Sequence, residues 1–134
     1  MEEFIRYATP ILNMRRTVTV DHDLHGQRLR AGDQVLLMYG AANSDEREFD
    51  EPQRFDLRRR RGSHVAFGFG THFCLGANLA RLELRVLFEE LLRRLPGFAL
   101  MPGHEPEFAP GYFTRTLKQL WVEVGPFRST QRAG

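Results

Sequence analysis

The chain has one cysteine, and its surroundings constrain the fold more than any other feature. Cys74 lies in Phe67-Gly68-Phe69-Gly70-Thr71-His72-Phe73-Cys74-Leu75-Gly76, an aromatic and glycine-rich stretch placed just ahead of a long helical pattern. With 11 Phe, 12 Gly, 5 His and 1 Cys among 134 residues, coincidence explains F-x-x-G-x-H-x-C-x-G poorly. That pattern should arise by chance in about two windows in ten million. A lone cysteine also rules out an internal disulfide framework and a multi-cysteine zinc site. It leaves a buried structural thiol, a nucleophile or a single metal ligand, in a reducing compartment for which the cytoplasm is the default.

Helical periodicity is clearest over Ala77 to Leu95. There Leu79, Leu82 and Val86 form one apolar stripe and Leu84, Phe88, Leu91 and Leu95 a second, before Pro96-Gly97 stops the pattern. Two stripes predict burial over a broad face. Glu2 to Ala8 also reads as helix but has no preceding cap, as though the chain begins inside an element, so an N-terminal part is expected to be missing. Arg16 to Asp21 alternates and is β-branched, which predicts a strand. A turn at His25-Gly26, a short strand around Gln27–Leu29 and a turn at Ala31-Gly32-Asp33 follow. Gln34 to Met38 reads as a buried strand, residues 49–65 as irregular chain, and Leu120 to Val124 as part of a C-terminal hairpin. Residues 125–134 read as a tail.

Composition narrows the class of partner. Nineteen basic and seventeen acidic residues give a formal net charge of +2, too small to require nucleic acid or an anionic membrane surface. No apolar run reaches membrane-spanning length, and the start lacks a basic region followed by an apolar core, so neither a membrane span nor a signal peptide is expected.

As chemistry, Cys74 must act as the thiolate to bind a metal, and a helix N-terminus just behind it favours that form. Gly68, Gly70 and Gly76 can take left-handed conformations or let the backbone approach a flat ligand. Phe67 and Phe73 would keep water from the sulfur. Three other readings stand beside this one. They are a small core thiol, a nucleophile with His72 as base, and a zinc site formed with His22, Asp23 and His25.

The cysteine loop resembles the heme-ligand loop of the cytochrome P-450 superfamily, the heme-thiolate monooxygenases, and three further segments agree in order and spacing. Glu3-Phe4-Ile5-Arg6 is similar to the family's E-x-x-R helix motif, and Phe55-Asp56-Leu57-Arg58-Arg59 to its meander. The resemblance implies a Glu3, Arg6 and Arg59 network. Read without it, E-x-x-R is an i,i+3 surface pair. Arg16, five residues before Asp21, and His72 fall where the family holds the two heme propionates. Thr9 to Met14 and Tyr112 to Thr114 resemble substrate-contact segments, which nominates Ile11, Leu12, Asn13 and Phe113. Asn43-Ser44-Asp45, Ala80-Arg81-Leu82-Glu83 and His72 look like the soluble bacterial members.

What this resemblance implies is a mainly α fold with small β-sheets, the C-terminal part of the cytochrome P-450 fold. It would run from the end of the ExxR helix through short β-hairpins, meander, cysteine loop and long following helix to a C-terminal hairpin, with residues 1–124 the proximal, heme-side portion. The cofactor would be heme b, iron protoporphyrin IX, bound through Cys74 with Phe67, Gly68, Gly70 and Gly76 around it. A monooxygenase of this kind activates dioxygen and inserts one oxygen atom into a small organic substrate. Its partners would be a ferredoxin-type or flavoprotein electron donor, drawn to the basic run Arg58 to Arg61, and the N-terminal part of the same protein. No segment resembles the distal helix with its acid-alcohol pair, so the chain by itself is expected neither to bind heme tightly nor to hydroxylate a substrate. A nonenzymatic heme-binding or sensor module is the alternative.

Overall fold

The computed structural model describes residues 1–59 and 64–125. The chain divides into two compact units, one built from Glu2–Gly68 with Gly111–Arg115, the other from Phe69–Pro110 with the residues from Thr116 on. The expected mixture of helices and small sheets is present, with every strand in a two-stranded antiparallel pair. Among the described residues no helix is long and apolar enough to cross a membrane.

The first unit opens with α1, Glu2–Ala8, whose acidic first turn and Arg6 in the last turn suit the helix dipole. Strand β1, Asn13–Thr17, pairs with β4, Gln34–Met38, in the register Asn13 with Met38 through Thr17 with Gln34. Between them β2, His22–Leu24, and β3, Gln27–Leu29, form a hairpin closed by His25 and Gly26, both with left-handed φ, +49° and +81°. A short α2, Tyr39–Ala42, follows.

Two expectations need correction here. The first strand runs from Asn13 to Thr17, not from Arg16 to Asp21, because the partner ladder begins at Met38 and Asp21 instead serves the turn. Asp21 accepts the Ala31 N–H at 2.9 Å and a guanidinium N–H of Arg28 at 3.1 Å. Strand β4 is not buried either. Leu36, Leu37 and Met38 remain 52%, 38% and 50% exposed, since a two-stranded ladder shields little of either face.

In the second unit a single 3-10 turn, Gly70–His72, leads through Cys74 to α3, Ala77–Arg94, the longest helix. It ends at Leu95, whose N–H donates to the Leu91 carbonyl at 2.8 Å, one residue before Pro96. The broad burial expected of α3 is absent. Leu79, Leu82 and Val86 are each about half exposed, whereas Leu84, Phe88, Leu91 and Leu95 are half-buried. The C-terminal segment is likewise split. Strand β6, Glu107–Phe108, pairs with β7, Leu117–Gln119, while β5, Ala99–Leu100, pairs with β8, Val122–Glu123. Leu120 to Val124 is therefore not one strand. The tail beyond residue 125 lies outside the described residues.

Candidate functional site

The strongest geometry in the first unit surrounds Glu3. Arg6 donates to both its carboxylate oxygens, Nε to Oε2 and Nη2 to Oε1, each at 2.8 Å, a two-pronged pair buried to 3% and 6% side-chain exposure. Arg59, 56 residues on, adds Nε at 3.3 Å from Oε1, and the Asp56 main-chain N–H donates to the same oxygen at 3.0 Å. The surface-pair reading of E-x-x-R thus does not describe this helix. The Arg6 bonds, the Asp56 N–H and Arg59 together outweigh burial and hold the Glu3 carboxyl down to about 2. The Arg6 guanidinium is raised by the same carboxylate.

Both arginines spend their remaining donors on main-chain carbonyls. Arg6 reaches Asn43 at 2.6 Å and Pro52 at 3.0 Å, and its guanidinium carbon lies 5.1 Å from the Phe49 ring centre. Arg59 reaches Asp50, Glu51 at 3.0 Å and Arg54 at 2.9 Å. Five main-chain carbonyls between Asn43 and Arg54 are thereby tied to one helix turn. Desolvation offsets much of the Coulomb attraction in such a network, so its contribution is geometric definition as much as energy.

Sequence reasoning missed two members. Asn43 is 1% exposed and Thr9 3%. Thr9 Oγ1 donates to the Arg6 carbonyl at 2.5 Å and accepts from Asn43 Nδ2 at 2.9 Å. Thr9 opens the segment that resembles a substrate contact, and its hydroxyl is engaged in this network. A polar residue ending a short helix gives no sequence signal for burial, and only the fold reveals it. His64 also joins α1, with Nε2 3.0 Å from Glu2 Oε2.

Arg16 lies half-buried on β1, and its Nη1 donates to the Arg15 carbonyl at 2.9 Å. It forms no ion pair among the described residues. The other nominated segments meet through main-chain groups and the Asn13 side-chain amide. Leu12 N–H donates to the Phe113 carbonyl at 2.9 Å, Asn13 Nδ2 to the Tyr112 carbonyl at 2.6 Å, and Ile11 bridges Thr114. Phe67 and Gly68 close this unit in a turn in which Gly68 N–H donates to the Val65 carbonyl at 2.8 Å and Gly68 takes φ +75°.

In the second unit, Cys74 is a free, exposed thiol. Gly70 has φ +66° and accepts the Phe73 N–H at 3.0 Å, which sets the turn that delivers the cysteine. Gly76 caps α3 at φ −82°, so the left-handed freedom expected of it is not used. The Cys74 carbonyl accepts the Ala77 N–H at 3.2 Å and so joins the loop to the helix N-terminus. His72 is exposed beside the thiol's loop. Phe69 at 86%, Phe73 at 50% and Leu75 fully exposed surround the cysteine with apolar surface. Among the described residues no group of three or more His, Cys, Asp or Glu could hold a metal ion, which leaves the zinc reading with His22, Asp23 and His25 without support. Arg60 and Arg61 of the basic run lie outside the described residues.

The family model described as Cytochrome P450 matches residues 1–112. The steroid C26-monooxygenase of Mycolicibacterium smegmatis is 50% identical over 126 residues, covering 94% of this chain and 31% of the relative. The methyl-branched lipid omega-hydroxylase of Mycobacterium bovis is 46% identical, over 91% of this chain and 28% of the relative. Among solved structures, CYP109E1 of Bacillus megaterium in complex with testosterone superposes with a TM-score of 0.89 at 37% identity, over 93% of this chain and 35% of that one. The chain spans about a third of the length of these relatives.

Proposed function

Since the chain belongs to the cytochrome P450 family, we propose that it forms the proximal, heme-holding part of a heme-thiolate monooxygenase, with Cys74 as the iron ligand. The observation that carries this reading is the exposed thiol of Cys74 at the mouth of α3, on a loop turned by left-handed Gly68 and Gly70. The donor chemistry fits the group. A lone thiol supplies one soft ligand, and the exposed Phe73 and Leu75 offer apolar surface to a flat, largely apolar macrocycle.

Heme b, when bound, would supply the activation of dioxygen and the insertion of one oxygen atom into an organic substrate. The chain's own residues have simpler tasks. Cys74 would be held as the thiolate next to the N-terminal end of α3. Arg16, which forms no ion pair among the described residues, and the exposed His72 carry donors suited to the two propionates. Gly68 and Gly70 keep side chains out of the turn beside the ligand, and Phe67 and Phe73 limit water. The Glu3, Arg6 and Arg59 network would hold the meander in place.

The relatives' names concern steroid and lipid oxidation, which favours a hydrocarbon-rich substrate, with Ile11, Leu12, Asn13 and Phe113 on the contact segments. The exposed Arg58, with Arg60 and Arg61, suits an acidic ferredoxin-type or flavoprotein electron donor. The test is to add hemin in excess, reduce under carbon monoxide and record the spectrum. A red-shifted thiolate-type Soret band in the wild type that vanishes in Cys74→Ser is expected. The same band in both proteins would remove Cys74 as the ligand, and no such band in the wild type would overturn heme binding by this chain.

A further inference from the structure

Among the described residues Asn43 has the largest fully buried side chain, and it uses every polar atom it has. Its N–H donates to the Tyr39 carbonyl at 2.9 Å, and its own carbonyl accepts from Arg6 Nη1 at 2.6 Å. Its amide Nδ2 donates to Thr9 Oγ1 at 2.9 Å, and its Oδ1 accepts the Val65 N–H at 2.8 Å. The amide can point only one way, because the Val65 N–H has nothing to accept with and the Thr9 hydroxyl already donates to the Arg6 carbonyl.

Each end of this bridge meets a constrained piece of backbone. Thr9 is β-branched yet holds a left-handed φ of +38°, a conformation that persists only where the surroundings fix it. Val65 begins the turn closed by the Gly68 N–H, with Ala66 buried at 6% inside it. Phe67 and Gly68, the first residues of the cysteine loop, therefore take their place from Val65. The Val65 N–H lies outside every helix and strand ladder, and the Asn43 side chain is its acceptor.

We propose that Asn43 is the positioning residue for the front of the cysteine loop, fixing the Val65–Gly68 turn to the C-terminal end of α1 through one amide. Its consequence for ligation rests on the heme-thiolate reading given above. Two measurements on the 134-residue chain separate the parts. Amide hydrogen exchange reads the bridge directly, and the fraction of thiolate-type band in the reduced, carbon monoxide-treated hemin complex reads its effect on Cys74.

In the wild type, Val65 should exchange at least about tenfold more slowly than an open loop amide. Exchange at the open rate overturns the proposal without any variant, even where Asn43→Ala fails to fold. Asn43→Ala should lose that protection and lower the thiolate fraction. Asn43→Leu, which fills the site but can neither accept from Val65 nor donate to Thr9, should lose both as Asn43→Ala does. Retained Val65 protection in Asn43→Leu would reduce Asn43 to a space-filling role and overturn the proposal. Lost Val65 protection with an unchanged thiolate fraction would overturn the link to Cys74. A wild type without any thiolate-type band defeats the heme reading alone, since the exchange measurement still decides the bridge.

Discussion

Arg59 Nε and Glu3 Oε1 meet at 3.3 Å across 56 residues of chain, and the rest of the Arg59 guanidinium is divided among the carbonyls of Asp50, Glu51 and Arg54. One side chain thus ties the meander both to α1 and to itself. A lysine could keep the attraction to Glu3 but cannot serve three carbonyls in a planar fork. Arg59→Lys should therefore destabilise the chain by about 2 kcal/mol. Urea unfolding measures it, and a change below about 0.5 kcal/mol would mean the carbonyl bonds contribute nothing.

Acid should weaken the fold through Glu3. Its carboxyl sits at about 2 when folded, against an ordinary value of 4.5. Between those values the unfolded chain binds more protons, so the contribution is complete above about pH 4.5 and is lost as pH falls through about 2. The Glu3 share is ~3 kcal/mol at full extent. Unfolding midpoints recorded down this range should fall more steeply for the wild type than for Glu3→Gln, and parallel curves would place the acid sensitivity elsewhere.

Gly70→Ala isolates backbone strain from crowding. A Cβ at Gly70 would meet nothing within 4 Å, but φ is +66°. The substitution should cost about 1 kcal/mol through conformation alone. Gly97, equally open and without a left-handed φ, is the control, and Gly97→Ala should be neutral or slightly stabilising.

Electron transfer gives a prediction for the basic run. Neutralising Arg58, Arg60 and Arg61 together should slow reduction by an acidic ferredoxin about tenfold at low ionic strength. The difference should shrink as salt screens the charges. A rate that does not depend on these arginines at any ionic strength would remove them from donor docking.

Much of this was legible in the residues because the signals were local. The period of Ala77 to Leu95 located α3, the His25-Gly26 pair located the β2–β3 hairpin, and the spacing around Cys74 located a loop whose left-handed Gly68 and Gly70 the structure contains. Other features were not local. The start of β1 depended on its partner β4, the exposure of Leu79 and Leu82 on what covers α3, and the break at Leu120 on separate pairing of β7 and β8.

The sequence by itself confined the candidate ligand to one cysteine, and it determined membership through motifs carried in order along the chain. Only the tertiary structure decided how Glu3 is satisfied, that Thr9 serves a buried network, and that Asn43 joins α1 to Val65. The physical reason is that helix periods and turn residues are set by neighbours a few positions away. A buried hydrogen bond, by contrast, depends on which distant donors and acceptors the fold leaves without water.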